Sequence, residues 1–417
     1  MEKMLVKGGI QLNGEVHASG AKNSALPLLF STLLAPGKHV FKNVPHLMDI
    51  QSTMVLLKHL GCEISWEGST VQVDVPELKS FEAPYDLVRK MRASILCLGP
   101  LMARYGQAKV SLPGGCAIGT RPIDLHLEGL KEMGAQIDVD SGYVFGKVDK
   151  LKGAKLIFES PTVTGTENLM MAACLADGVT LIENAAKEPE IWDLAEYLNK
   201  MGAKISGHGS SIIRIEGVDR LTPAEHVVIP DRIEAGTLLL AGAITGGEVT
   251  VSSCRPDDLD ALISKMKESG FKLSIDESSI TVHKNTGYTG VDVTTAPHPA
   301  FPTDLQAQFM ALMTQADGTS VITETIFENR FMHVQELVRL NADITPKTRV
   351  AIVRGAPGSL KAAPVMATDL RASACLILAG LAAQGETEVN RIYHLDRGYE
   401  KMEEKLSKLG AQICRKN

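Results

Sequence analysis

The chain has 417 residues, 44% of them hydrophobic, with 43 Lys plus Arg against 49 Asp plus Glu for a formal net charge of −6. That length fits two domains better than one core, and the lack of any basic run argues against nucleic acid or an anionic membrane surface as partner. Seven scattered cysteines without CxxC spacing point to reduced thiols, and no apolar run forms a signal-peptide core or nears the roughly 18 residues of a membrane span, so the expected location is the cytoplasm.

In chain order, the opening stretch MLVKGGIQLNGEV reads as strand, and the rest of the chain is a repeat. A short phrase recurs as LGCEI (60–64), MGAQI (133–137), MGAKI (201–205), SGFKL (269–273), LNADI (340–344) and LGAQI (409–413), at intervals of 73, 68, 68, 71 and 69 residues. Each phrase reads as a helix end followed by a strand, with Gly or Asn at the left-handed cap position. An amphipathic helix such as LDALISKMKES precedes the phrase, and a β-branched strand such as VTLIEN, EVTVSS or TSVITE precedes that helix. Each unit opens with a helix apolar on nearly every face: ALPLLFSTLLA, SILCLGPLMA, NLMMAACLA, TLLLAGAI, QFMALMTQA and SACLILAGLA. Helices of that kind belong inside a core. Three units enclosing their buried helices within sheets give the inverse of the usual α/β barrel. The expected fold is therefore α/β, a two-domain inverse α/β barrel of six repeated units. Its expected domains are residues 22–229, and residues 230–417 together with the opening segment 1–21.

Function is sought where a unit departs from the shared pattern. After the strand AKVSLP the second unit runs GGCAIGTRPIDLH, which makes its interval the longest. Cys116 sits there between glycine clusters, five residues before Arg121, and a neighbouring guanidinium lowers a thiol's pKa. Spacing alone leaves open whether Cys116 is functional or a loop cysteine without a role. Cys97, Cys174 and Cys375 lie within opening helices and read as small hydrophobes. Basic residues mark helix starts: Lys22 in GAKNSA, Arg92 in MRASI and Arg371 in DLRASA. Arg121 and Arg397 each stand 12 residues before the phrase of their unit, and Arg330 stands 10 before its own. Helix N-termini bearing Lys or Arg suit a small, highly charged anion; the alternative is a set of solvated caps and surface ion pairs. Asp304 in FPTDLQAQ and Asp369 in ATDLRAS open two further buried helices, where Asp is a favoured N-cap. The prolines of APHPAFP also make Asp304 a candidate for a positioned carboxylate.

Other chemistries fit less well. Gly114 and Gly119 lack the lysine and metal-binding hydroxyl of a phosphate loop, no GxGxxG follows the first strand, and the histidines and cysteines form no zinc spacing. A cysteine hydrolase with Cys116 as nucleophile and His126 as base needs an orienting group and an oxyanion hole, neither visible in the sequence.

The stretches SGAKNSALPLL, MRASI, LPGGCAIGTRPIDLH, ENAAKEPEI, PDRIEAGT, TAPHPAFPTDLQAQ, ETIFENRFMH, MATDLRASA and YHLDRGYE, spread over nearly the whole chain, resemble the UDP-N-acetylglucosamine 1-carboxyvinyltransferase family of enolpyruvyl transferases. The resemblance implies transfer of the enolpyruvyl group of phosphoenolpyruvate to the sugar 3-hydroxyl of UDP-N-acetylglucosamine, with release of phosphate by addition–elimination. That is the first committed step of peptidoglycan precursor synthesis, and it implies small-molecule substrates, no cofactor and no metal. Carried over by residue, the resemblance implies that Lys22 and Asn23 hold phosphoenolpyruvate, helped by Arg121 and Arg397. It implies that Arg92, Arg121, Pro122, Ile123 and Asp124 line the UDP-sugar site, that Val163, Thr164 and Gly165 contact its uridine-diphosphate portion, and that Ile326 contacts the sugar nucleotide. Arg371 belongs to the same substrate set. Asp304 is implied to lie at the sugar hydroxyl, as a base with an ordinary carboxylate pKa. Cys116 is implied to donate a proton or to form a covalent adduct, with sensitivity to the epoxide fosfomycin. One departure is PTVTGTENLM, which is rich in Thr and carries Glu167 and Asn168 where many relatives differ. Two rival readings are the shikimate-pathway enolpyruvyl transferase, which takes a different acceptor and lacks this cysteine loop, and a non-catalytic repeat scaffold.

Overall fold

A computed structural model describes residues 2–89, 91–112 and 123–416. Cys116, Arg121 and Pro122 therefore lie outside the described residues. All six recurring phrases turn the chain at a residue of positive φ: Gly61 (118°), Gly134 (92°), Gly202 (103°), Gly270 (102°), Asn341 (72°) and Gly410 (100°). At Gly61 the backbone N–H returns to the Leu57 and Lys58 carbonyls, closing the last turn of helix Met48–Leu60 before strand Glu63–Glu67 begins.

The opening helices are buried along almost their whole length. In Lys22–Ser31 only Asn23 escapes burial, and in Arg232–Ile244 only Arg232 does. The second unit differs from expectation, because SILCLGPLMA is not one helix. It is a 3-10 segment, Arg92–Cys97, followed by α-helix Leu98–Tyr105. Pro100 has no N–H to offer the Leu96 carbonyl and its ring crowds that carbonyl, so the regular α pattern starts only beside it.

Six four-stranded sheets are present among the described residues, all of one design. In each, an edge strand runs parallel to a central strand, which pairs antiparallel with the nearer of two further antiparallel strands, a hairpin in five of the six; Lys155–Ile157, Val179–Glu183, Ile212–Glu216 and Lys204–Ser206 form one example. Alternation sets the buried face: Ile213 and Ile215 point inward, and Ile212 and Arg214 outward. Two sheets borrow strands from the opening segment. Asn13–His17 is the parallel edge against Glu248–Ser252, and Lys3–Lys7 lies between Glu386–Asn390 and Gln412–Lys416. This explains why MLVKGGIQLNGEV stands outside the repeat: it supplies two strands that the later units lack.

The chain divides into two compact units, residues 20–112 with 123–229, and residues 2–19 with 230–416. Each has its own apolar core. In the second, helices Arg232–Ile244, Thr303–Met313 and Leu370–Ala382 pack on one another inside their three sheets.

Candidate active site

In the unit of residues 2–19 and 230–416, the N-terminal ends of the buried helices carry the charge. Asp231 and Asp369 are N-caps: Asp231 accepts from the Ile233 and Glu234 amides, and Asp369 from those of Arg371 and Ala372. Asp304 is not a cap. Pro302 takes that position, and the Asp304 carboxylate is instead gripped by two arginines, with Arg330 Nη2 donating to Oδ1 at 2.9 Å and Arg371 Nη2 to Oδ2 at 2.7 Å. Both arginine side chains are only 4% exposed. Burial pushes the Asp304 carboxyl up, but Arg371 and Arg330 outweigh it and hold the pKa well below the ordinary carboxylate range. The expectation of an ordinary carboxylate pKa at Asp304 is therefore corrected: in this arrangement it is a clamped anion and a weak base.

The second terminal nitrogen, Nη1, of Arg330 and of Arg371 is buried with no hydrogen-bond partner among the described residues. Buried donors left without an acceptor are costly. Behind them the Arg371 guanidinium lies 5.5 Å from the Tyr399 ring centroid, and that of Arg330 lies 5.3 Å from the Phe327 ring. Gln308 Nε2 lies 2.9 Å from the Asp304 carbonyl in its own helix and 2.9 Å from the Tyr399 hydroxyl, and its 3.2 Å contact with the Thr237 hydroxyl links it to helix Arg232–Ile244. Arg330 entered the sequence reading through its spacing alone; its grip on Asp304 joins residues 26 apart in sequence.

Ile326 is held by a buried acid. Glu324 Oε1 accepts from the Ile326 amide at 2.8 Å and from the Thr295 hydroxyl at 2.8 Å, while its Oε2 takes the Thr303 hydroxyl. Arg397 ends the 3-10 segment Ile392–Arg397 and is half-buried. Burial, then the Arg397 charge, lowers the pKa of His394.

In the unit of residues 20–112 and 123–229, Lys22 is the first residue of its buried helix, and its Nζ lies 3.1 Å from Asp49 Oδ2. Asn23 follows, half-buried. Arg92 starts its 3-10 segment, Ile123 is the buried N-cap residue of helix Asp124–Glu132, and Asp124 is exposed in its first turn. Val163, Thr164 and Gly165 form the first turn of helix Val163–Ala173, where the Thr162 hydroxyl caps the Gly165 amide. Thr164 Oγ1 lies 3.3 Å from His126 Nε2, and His126 Nδ1 lies 2.9 Å from Asn168 Nδ2. Burial, then the Arg92 charge, lowers the His126 pKa to about 4. A histidine so enclosed is a poor general base, which removes His126 from that part in a cysteine hydrolase. Cys97 and Cys174 are buried, with thiol pKa values pushed up by burial to about 12. Burial, then Glu190 and Glu188, raises the Glu167 carboxyl well above its ordinary value. Among the described residues no cluster of acids, histidines and cysteines could hold a metal ion, and no helix is long and apolar enough to cross a membrane.

Six repeated units, each with a buried helix and a four-stranded sheet, make up a fold shared with solved enolpyruvyl transferases. The family model for EPSP synthase (3-phosphoshikimate 1-carboxyvinyltransferase) matches residues 6–406, and the chain belongs to that family. It is 68% identical over 412 residues to UDP-N-acetylglucosamine 1-carboxyvinyltransferase of Bdellovibrio bacteriovorus, covering 99% of this chain and 100% of that one. It is 56% identical over 415 residues to the protein of the same name from Desulfatibacillum aliphaticivorans, covering 100% of both. Among solved structures, the enolpyruvyl transferase NikO from Streptomyces tendae superposes with a TM-score of 0.90 at 24% identity, covering 99% of this chain and 98% of that one. EPSP synthase from Acinetobacter baumannii gives 0.79 at 18%, covering 100% of each. At those identities the two structures speak to the fold alone.

Proposed function

We propose that this chain transfers the enolpyruvyl group of phosphoenolpyruvate to the 3-hydroxyl of UDP-N-acetylglucosamine and releases phosphate, opening peptidoglycan precursor synthesis in the cytoplasm. The observation that carries this reading is the 68% identity, over essentially all of both chains, to a protein named for that reaction.

The chemistry is an addition followed by an elimination. The sugar oxygen bonds to the central carbon of phosphoenolpyruvate while a proton adds to its methylene carbon and the sugar hydroxyl gives up its own proton. The bond from the central carbon to the phosphate oxygen then breaks, phosphate leaves with the electron pair, and loss of a methyl proton restores the double bond. Cys116 is proposed as the proton donor to the methylene carbon, a role that needs a protonated thiol. As a thiolate it would instead add to the central carbon and give the adduct. Lys22, Asn23, Arg121 and Arg397 bind the phosphate and carboxylate charges. Arg92, Pro122, Ile123, Asp124, Val163, Thr164, Gly165 and Ile326 bind the sugar nucleotide.

Asp304 is proposed to accept the proton of the sugar hydroxyl once its clamp is weakened. The buried Nη1 donors of Arg330 and Arg371 are suited to a substrate carboxylate. An anion seated there offsets guanidinium charge and raises the basicity of Asp304. Base strength then appears only when substrate is present.

The test is a phosphate-release assay with phosphoenolpyruvate and either UDP-N-acetylglucosamine or shikimate 3-phosphate. Release with the first acceptor alone is expected. Release with only the second would transfer the reading to the shikimate-pathway reaction, and release with neither would leave the scaffold reading.

A further inference from the structure

Asn168 is completely buried, and its side chain reaches three segments besides its own helix. Its Oδ1 accepts from the Gly99 amide at 2.7 Å, and its Nδ2 donates to the Ile95 carbonyl at 3.3 Å and to His126 Nδ1 at 2.9 Å. These backbone partners fix which way round the amide sits. The Gly99 N–H can meet only an oxygen, and the Ile95 carbonyl can meet only an N–H. The group presented to His126 is therefore a donor, and Nδ1 must be an acceptor without a proton.

A neutral imidazole with a bare Nδ1 carries its proton on Nε2. Burial and the Arg92 charge keep this ring neutral, with a pKa of about 4. The Nε2–H then points at Thr164 Oγ1, 3.3 Å away, and makes that oxygen an acceptor. The hydroxyl's own hydrogen has no other protein acceptor among the hydrogen bonds of the described residues, since the Nε2 contact is the one that Thr164 Oγ1 makes. Thr164 is half-exposed in the first turn of an 11-residue helix, where free N–H groups and the dipole favour an anionic oxygen.

We propose that Asn168 and His126 are positioning residues that fix the Thr164 hydroxyl as an obligate hydrogen-bond donor to a phosphate oxygen of the nucleotide. This rests on the proposed reading that the Val163–Gly165 turn faces the uridine-diphosphate portion of the substrate. Through the same amide, Asn168 also ties together the segments that begin with Arg92, Asp124 and Val163, so one buried side chain sets their mutual register.

The proposal is tested by nitrogen NMR of His126, assigned with a His126→Gln variant, and by calorimetric binding of UDP to the whole protein. The Nε2–H tautomer is expected from pH 5 to 8; an Nδ1–H tautomer or an imidazolium at pH 7 would overturn the relay. Thr164→Val should weaken UDP about 10- to 100-fold, the loss of one hydrogen bond to a charged group. Thr164→Ser, which keeps the hydroxyl, should stay within about threefold. In turnover, Thr164→Val should raise the KM for the UDP-sugar and leave that for phosphoenolpyruvate unchanged. A parallel rise in both, or equal UDP affinity in Val and Ser variants, would reject the donor role. Asn168→Asp turns the group facing Nδ1 into an acceptor, so it should move the ring proton to Nδ1 and reproduce the Thr164→Val defect. If the wild type showed no transfer activity, the proposed reaction would fall, while the tautomer and UDP measurements would still decide the relay.

Discussion

Acidification from pH 7 to 5 should destabilise the unit of residues 20–112 and 123–229 through two buried histidines. His39 Nδ1 lies 2.5 Å from the Tyr197 hydroxyl and its Nε2 lies 3.1 Å from the Ala35 carbonyl, so it is built in as the neutral ring, as His126 is. Burial is the leading cause that lowers both from 6.5 to about 4. The unfolded chain takes up a proton at each near pH 6.5, and the folded unit does so only near pH 4. The stability owed to these two neutral rings is therefore whole above pH 6.5 and falls as the pH drops through that window, while the buried Glu167 carboxyl of the same unit, its pKa raised, works in the opposite direction. At pH 5 each histidine costs about 2 kcal/mol and the pair about 4 kcal/mol, out of a total on the order of 5–15 kcal/mol. The two tryptophans, Trp66 and Trp192, both belong to this unit, so their fluorescence reports its unfolding separately. With a urea slope of about 3 kcal/mol/M, the midpoint of His39→Gln should fall by roughly 0.7 M less than that of the wild type between pH 7 and 5, a difference in which the Glu167 contribution cancels. A His39→Gln variant with the full wild-type dependence would refute the reasoning.

Asp304→Ala should bind the UDP-sugar in calorimetry yet fail in turnover, and it should lose about 3–5 kcal/mol of stability because two buried guanidiniums are left without their carboxylate; near-normal turnover would remove it as the base. Cys116→Ser should lose most turnover and all alkylation by an epoxide, read by intact mass, and alkylation at the wild-type rate would shift the reactive thiol elsewhere. Gly99→Ala places a methyl against the Asn168 carbonyl and amide oxygens. It should cost at least about 1–3 kcal/mol in thermal unfolding and weaken UDP binding, and an unchanged melting temperature would show that this contact can relax.

The fold was legible because each of its rules is local. A left-handed residue must close every amphipathic helix, and only Gly or Asn takes that conformation cheaply, so six such residues at nearly even spacing announce six units. A helix without a polar face has to be enclosed, which gives the inside-out arrangement before any contact is known. What stayed hidden was non-local or chain-specific. The parallel edge strands are as short as two residues, too brief for a periodic signal. The split of the second opening helix could have been read from Pro100, since a proline three residues into an α-helix marks its start.

For the site, sequence reading finds residues whose position alone is unusual and misses those defined by what they touch. Lys22, Arg92 and Arg371 stand out because a cation at the start of an apolar helix needs a reason; Lys22 and Arg371 lie in the first turn of their helices, and Arg92 begins the 3-10 segment that precedes its helix. The state of Asp304 could not be read the same way. Whether a carboxylate caps a helix or is clamped depends on Arg330 and Arg371, which lie 26 and 67 residues away. An N-cap and a clamped anion look identical in TDLQ, and they differ in base strength, which is the property that matters to the reaction. His126 and Asn168 carry this further: each looks like an ordinary polar residue inside a helix. Their meaning comes from hydrogen-bond direction, handed from the Gly99 amide and Ile95 carbonyl through an amide and an imidazole to one hydroxyl.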